Sequence, residues 1–543
     1  MFVNFSEIPG HENLFLDYLY EYNKVSKFYK TNFRNKEEFL NIFKAVSESN
    51  KTDREILVSL IETQYQGLSP SEKTRQNLEL LKSKKTLTVV TGQQLGLLGG
   101  PLYTVYKIIT AIKLSNYLSE RYDDYKFIPV FWLEGDDHDF NEIRHINLIN
   151  DQNDFQRFNY DQEVPEDEDR RSVGFININD TVNNFLEEIK NNVRNTEFTP
   201  ALFEKLKDIY SPGKQLKEAF KELTFWLFDQ YGIIIFDPQD KKIKELMRPL
   251  FKNELTNFRK HTEKIVSVSA ELEDFYHAQV KVRPVNLFYS TDGGRFLIEP
   301  VDVDNEFRLK NKRKRFSYDE LISLIDSEPE NFSANVLLRP VCQDYILPTA
   351  FYVGGPSEIA YFAQVLPLYD FYDIQPPVIY PRSSATIVEK NIASIIEKYN
   401  LSLNQIFWDP EKLKESVLAS LSNITIDEIF SDTTNKIDLS LDQLKEKLFD
   451  FDKTISDAST KYRQKILSYL DELKGKAIDS QKRKYETTLR QIDKLSATLF
   501  PAGSLQEREI NFIYFANKYG VEVVNKIFEE LAINKFEHQI INL

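Results

Sequence analysis

Apolar residues recur at spacings of three and four along residues 12 to 83, as at Phe15, Tyr18, Leu19 and Tyr22, which predicts aromatic-rich helices with one polar face. The texture changes at Thr86. A β-branched run, "TLTVV", gives way to glycines and then to "LYTVYKIITAIKLSNYL", and a second apolar run, "FIPVFWLE", starts at Phe127. Strand, loop, helix and strand in that order predict a βαβ unit and hence a parallel sheet. "YGIIIFDP" at 231–238 is a third strand candidate and runs into the helix-like "QDKKIKELMRPLFKNEL". A helix from about Ser357 to Tyr369 leads into "PPVIYPR", the fourth.

The polar segments near 150–225 and 260–335 are too long for ordinary αβ loops and read as insertions into the sheet. The second holds "QVKVRPVNLFYS", "GGRFLIEP" and "EFRLKNKRKRF", whose alternation predicts a small antiparallel β element. Beyond Pro410 there is no proline until Pro501. Leu441, Leu444, Leu448, Phe451, Ile455 and Ala458 follow a three-four alternation, and Ile478, Tyr485, Ile492 and Leu499 recur every seven. Two long helices in an antiparallel coiled coil fit this pattern, as does a helical bundle lid. The chain is therefore α/β, a parallel-sheet core with inserted connecting segments, followed by a long C-terminal α-helical coiled coil.

Composition narrows the chemistry. The 543 residues suffice for a large core, and Cys342, the one cysteine, excludes an internal disulfide framework. "MFVNFSEIPGHENLF" lacks a signal peptide's basic start and apolar core, and no apolar run approaches bilayer-spanning length, so the cytoplasm is expected and a membrane is not. A net charge of −15 argues against nucleic acid as a partner. A small anion can still be held in a local pocket of amides and cations.

Four stretches carry candidate chemistry. In "TGQQLGLLGGPLYTVYK", Gly92, Gly96, Gly99 and Gly100 can offer backbone amides to phosphate or carboxylate, or can simply make a tight turn. Gln93 and Gln94 add amide groups there, and Tyr103 and Lys107 share a helix face. In "FWLEGDDHDFNEIRHI", Glu134, Asp136, Asp137, His138 and Asp139 crowd the carboxyl end of a strand, where open α/β sheets bind ligands. They can coordinate a divalent ion, form an acid–base pair, or make a solvated turn. "FYVGGPSEIAYFAQ" brings Gly354, Gly355 and Glu358 to a helix start, and "YPRSSATIVEKN" offers Arg382, Ser383 and Ser384 before another. Cys342, among apolar neighbours, reads as a small core side chain.

Taken in order with "LFPAGSLQERE", which adds Gln506 and Arg508, these segments make the chain resemble the bacillithiol biosynthesis cysteine-adding enzymes, a family of cysteine ligases (BshC). The resemblance implies a Rossmann-like core over 1–383 with insertions near 150–225 and 260–335. It further implies a coiled-coil domain over 384–500 used for homodimerisation, and a segment, 501–543, returning to the core. The implied reaction adds L-cysteine to glucosaminyl malate in the last step of bacillithiol synthesis. Amide formation is uphill in water, so ATP with Mg²⁺ is the expected activator, and no structural zinc is expected.

Asp136, His138 and Asp139 are then the expected catalytic groups. Gln93, Gln94, Tyr103, Lys107, Gly354, Gly355 and Glu358 are expected to bind substrate. Gly92, Gly96, Gly99, Gly100, Arg382, Ser383, Ser384, Gln506 and Arg508 are expected to bind nucleotide, with a second nucleotide position near Arg382 and the Gln506/Arg508 return as a variant. Two rivals are a metal-dependent hydrolase using Asp136, Asp137, His138 and Asp139, and a non-catalytic coiled-coil scaffold that senses a nucleotide.

Overall fold

The computed structural model describes residues 1–137, 139–160, 171–292, 294–301, 306–421 and 426–543, with backbone alone for Gln481, Lys482 and Lys484. Two compact units emerge. Met1–Ile387 and Ser504–Ile541 form one, and Val388–Gly503 with Asn542–Leu543 the other.

The first unit is built on a five-stranded parallel sheet in the order Val378–Pro381, Thr349–Gly354, Thr86–Gln94, Lys126–Glu134, Ile234–Phe236. Thr86 to Thr91 are all buried, as expected for a strand covered on both faces. The helix Tyr103–Arg121 makes the first crossover, and its own residues from Thr104 to Ile112 are buried. N-terminal helices cover the sheet through aromatic contacts such as Phe39 on Phe351 and Phe43 on Phe127, with ring centroids 5.1 and 4.8 Å apart.

Four of the five strands follow the apolar runs. The fifth, Thr349–Gly354, lies outside the four strand candidates: it is a wholly buried strand beside Thr86–Gln94, and the helix start expected at Gly354 and Gly355 follows directly, with Gly355 as the cap of Pro356–Tyr372. A six-residue strand directly behind the apolar helix Arg339–Ile346 leaves no period of its own to read.

The predicted antiparallel element is present, in the order Arg315–Ser317, Glu306–Leu309, Gly294–Pro300, Leu287–Thr291, Phe332–Ala334. Its first expected strand is shorter than the alternation suggested. Residues 279–285 pair with no strand and form an irregular strap, because the side chain of Gln364 takes the place of a neighbour: Val280 N donates to Gln364 Oε1 and Gln364 Nε2 donates to Val280 O, each at 2.9 Å.

A second correction concerns Arg382-Ser383-Ser384, expected to open a helix with free amides. Ser384–Val388 is a strand, placed beside His538–Asn542, which in turn pairs with Phe2–Val3. The following helix begins at Lys390. In the second unit, Ile426–Phe451 and Lys453–Lys484 form a helical hairpin turning at Asp452. Arg463 bridges the two helices through Asp438 and Asp442 at 2.6 and 2.5 Å.

Candidate active site

At the carboxyl ends of the parallel strands lies a cleft of about 660 Å³ within the first unit. Strand ends are where backbone and side chains leave the sheet without a continuing ladder, so ligand-facing groups collect there. Gly92, Gln93 and Gln94 reach it from one strand, Trp132 and Glu134 from the next, and Tyr352 and Arg382 from two others.

The centre is a buried charge network. Lys107 Nζ donates to Gly92 O at 2.7 Å and Gln93 Oε1 at 3.0 Å, and pairs with Glu358 Oε2 at 2.5 Å. Glu358 also accepts from the Tyr352 hydroxyl at 2.5 Å and from Gly355 N at 2.8 Å. Burial pushes the Lys107 ammonium down and opposes ionisation of Glu358, yet Lys107 and the Gly355 amide hold that carboxyl below its ordinary range. The hydrogen-bonding groups of both side chains are satisfied by these partners.

Arg339 donates to the Tyr352 and Tyr361 hydroxyls at 3.3 and 3.0 Å and to Gln343 at 3.0 Å, and its Nε stands 3.8 Å from Glu134 Oε2. Trp132 Nε1 donates to the same Glu134 oxygen at 3.2 Å. Glu134 Oε1 has no hydrogen-bond partner among the described residues, and the side chain keeps 23 % exposure toward the cleft. Burial pushes this carboxyl up; Arg339 and Arg295 pull it down and Asp136 adds to the rise.

Seven cations line the cleft against three carboxylates, Glu134, Asp137 and Glu358. Four of the seven are fixed. Lys107 and Arg339 are held as described. Arg382 pairs with the fully buried Glu507 at 2.7 Å, and Arg295 donates to Ser333 Oγ at 2.7 Å and Ala334 O at 2.8 Å. Lys281, Arg283 and Arg508 have no side-chain partner among the described residues, so their charge is open to a ligand.

The glycine turn departs from its expected role. Gly92 belongs to the strand, where a Cβ would press on Trp132 O at 3.2 Å. Gly96, Gly99 and Gly100 do not line the cleft: Gly99 N and Gly100 N donate to Gly96 O and Leu97 O, and a Cβ on Gly96 would sit 2.8 Å from Gly100 Cα. Positive φ at Gly99 and Gly100, 89° and 70°, meets the remaining need for glycine. Asn511 Nδ2 closes the turn on Leu97, Leu98 and Gly100 carbonyls. The Gly99 and Gly100 amides thus serve the turn itself.

Of the acidic cluster, Asp136 accepts from Lys244 Nζ at 2.7 Å and Gln239 Nε2 at 3.0 Å. Burial raises its pKa, but Lys244, Arg295 and these hydrogen bonds outweigh it, leaving a carboxylate that is a poor base and does not line the cleft. Asp139 caps the short helix Phe140–Ile143 by accepting from Glu142 N at 3.2 Å. His138 lies outside the described residues. Asp137, which faces the cleft, accepts from Gln94 Nε2 at 2.8 Å. Among the described residues no three His, Cys, Asp or Glu side chains converge as metal ligands do.

Gln93 donates to the Tyr103 hydroxyl at 3.2 Å, and the Arg382 guanidinium lies 5.3 Å from the Tyr103 ring centre, so these three share one wall with Gly355. Gly354 ends its strand outside the cleft and accepts from Arg382 N at 2.9 Å. Ser383 Oγ donates to Ala532 O, and Ser384 Oγ is buried between Glu507 and His538. Gln506 is buried too, its amide clasping Ile387 N and O at 2.8 and 3.0 Å. The space behind Arg382, lined by His11, Phe15 and Glu507, holds about 10 Å³, room for one water and not for a nucleotide.

Sequence reasoning passed over Arg295, Arg339, Tyr361, Lys281 and Arg283, and gave Glu134 no role. An arginine inside the apolar "LLRPVCQDYILP" was the available signal for Arg339, since a buried guanidinium demands partners. In the same helix Cys342 is buried among apolar side chains, and burial pushes its thiol up to about 12.

Residues 1–383 match the family described as bacillithiol biosynthesis BshC, N-terminal Rossmann-like domain, and residues 385–543 match its C-terminal coiled-coil domain. A protein of Salinibacter ruber is 33% identical over 98% of this chain and 96% of its own length. One of Chloroherpeton thalassium is 34% identical over 97% and 96%, and one of Chlorobaculum tepidum 33% over 90% and 89%. All three bear the name "Putative cysteine ligase BshC". With both family matches laid end to end over a Rossmann-like sheet and a helical hairpin, the chain belongs to the bacillithiol biosynthesis BshC family.

Proposed function

We propose that this protein is a ligase that joins the carboxyl group of L-cysteine to the amine of glucosaminyl malate, completing bacillithiol in the cytoplasm. The observation that carries the reading is the inverted charge of the cleft. A protein of net charge −15 concentrates seven cations against three carboxylates in one cavity, which suits reactants that bring carboxylates with them. No helix among the described residues is long and apolar enough to cross a membrane.

Glu134 is the proposed proton acceptor for the attacking amine. It is the cleft carboxylate with an oxygen that has no hydrogen-bond partner among the described residues, and burial raises it above the ordinary carboxylate range. Arg339, held rigid by two phenols and Gln343, orients it. The Lys107–Glu358 pair fixes the floor beneath Gln93 and Tyr103 and has no charge to spare for phosphate.

ATP, with Mg²⁺, is the proposed co-substrate; it supplies the free energy and the leaving group for amide formation. The residues that fit its phosphates are the cleft cations without a side-chain partner among the described residues, Arg508 beside Arg382 foremost, and not Gly96, Gly99 or Gly100, which do not line the cleft. The helical hairpin is the proposed homodimer contact. Mass spectrometry of purified protein with L-cysteine, glucosaminyl malate and MgATP is expected to show the amide product with matching ATP consumption. No product from this complete mixture overturns the ligase reading.

A further inference from the structure

The strap over 279–285 is held in an unusual way. Gln364, fully buried on the helix Pro356–Tyr372, clasps the Val280 main chain through both its amide oxygen and its amide nitrogen. The same Nε2 also donates to Ser269 Oγ at 2.8 Å, so the clasp is fixed to a second helix, Arg248–Glu273. Farther along, Thr262 Oγ1 donates to Pro284 O at 2.8 Å. Ala278, Val280 and Val282 pack against the hydrophobic core. Anchored at both ends, the strap presents Gln279, Lys281 and Arg283 at alternate positions to the cleft.

Lys281 and Arg283 differ from the four fixed cations. No described residue offers either side chain a carboxylate or a hydrogen-bond acceptor, while the backbone between them is tied down. A pair of unneutralised cations on a pinned segment forms a binding wall whose charge awaits a counterpart. Arg508, likewise without a side-chain partner among the described residues, groups instead with Arg382, close to Tyr103 on one side and to His11 on the other. The cleft thus holds two separate free positive centres, one on the strap and one by Tyr103.

We infer that Lys281 and Arg283 form the subsite for the dicarboxylate end of the amine substrate, with Gln364 as the positioning residue that holds the strap in place. Two cations two residues apart match two carboxylates on neighbouring carbons, and the fork of Arg283 can take one of them bidentately. A monocarboxylate satisfies half of this wall. The inference rests on the ligase reading for its choice of ligand, and binding can be measured without turnover.

Titration of the full-length protein with L-malate, followed by calorimetry, is expected to show saturable binding that weakens as salt rises, with L-lactate at least tenfold weaker. Lys281→Ala/Arg283→Ala should weaken malate at least tenfold and flatten the salt dependence; both side chains are on the surface of the cleft, so the fold is retained. Gln364→Met, similar in volume but without the amide, should weaken malate about threefold while keeping the salt dependence, which a general loss of structure would not do. In turnover, the double variant should raise KM for glucosaminyl malate and leave KM for cysteine within twofold.

Malate affinity unchanged in the double variant, or lactate bound as tightly as malate, overturns the inference. If the wild-type protein forms the amide while either of these results holds, the subsite assignment fails and the ligase reading stands. If malate binds through these two side chains and no amide forms, the reverse follows.

Discussion

Two ionisable side chains, Glu134 and His538, show how position sets chemistry at the scale of the residue. Glu134, raised by burial and left with one free oxygen, should lose its basic form at a pH above the ordinary carboxylate range. We expect Glu134→Gln to lower kcat by about a hundredfold or more, with little change in KM for cysteine, and to abolish the acid limb of the pH–rate profile. His538 is buried between the hydroxyls of Ser384 and Thr386 at 2.7 and 2.8 Å, and burial pushes it down to about 4 from 6.5. The unfolded chain therefore binds a proton there that the native protein refuses between those two values.

Stability from this group is complete above pH 6.5 and is lost as the pH falls toward 4, by up to about 3 kcal/mol. His11, also pushed down to about 4, acts in the same direction. Asp344, pushed up to about 6 by burial, acts in the other: its contribution is present at low pH and disappears as the pH rises through 6. Urea midpoints measured from pH 7 to pH 4 should fall for the wild type and fall less steeply for His538→Gln.

Among the elements, the returning helix Gln506–Glu509 shows what a few side chains can fix. Gln506 clasps Ile387, Glu507 neutralises Arg382 and accepts from Ala385 N at 3.0 Å, and Arg508 enters the cleft. Glu507→Ala leaves a buried guanidinium without its partner and is expected to cost about 3–5 kcal/mol, read from chemical denaturation. The strands of the parallel sheet were legible because "TLTVV", "FIPVFWLE" and "GIIIF" are continuous apolar runs, which only burial on both faces explains. The strand Thr349–Gly354 was not, because it follows the helix Arg339–Ile346 almost directly and runs straight into the glycines that open the next helix. The strap at 279–285 was read as a strand for a related reason. Its alternation is real, but a glutamine side chain stands where a strand partner was expected.

The site was legible in location more than in detail. Motifs placed Gly92, Gln93, Lys107, Gly355, Glu358, Arg382 and Arg508 around one cleft, since strand ends and helix starts must meet there. Which cation lacks a counter-charge is a property of folded neighbours: Arg382 looked available until Glu507, 125 positions later in the chain, was found against it. The same applies to Asp136, which a lysine from the helix Lys241–Leu246 takes out of contention.

For the whole molecule, the helical hairpin carries a run of exposed apolar side chains. The helical hairpin has no buried residue in Ile426–Phe451, and Leu444 and Phe451 are 48% and 79% exposed. Leu441, Leu444, Leu448, Ile455 and Ala458 line an open groove of about 280 Å³ between its two helices. Exposed apolar stripes of this kind favour association with a like surface. Sedimentation equilibrium is expected to give a dimer for the wild type and a shift toward monomer for Leu444→Glu, with the cleft's malate binding unaltered.

Asn511 closes a turn that lies more than four hundred positions earlier, and the strand at Phe2–Val3 waits for His538 and Gln539. During synthesis, then, the cleft is finished last: the ribosome will have made the sheet and the entire hairpin before the wall bearing Arg508 emerges. A nascent or prematurely terminated chain can contain every strand of the sheet and still lack a finished cleft, so a ligand finds the complete pocket only once translation is nearly over.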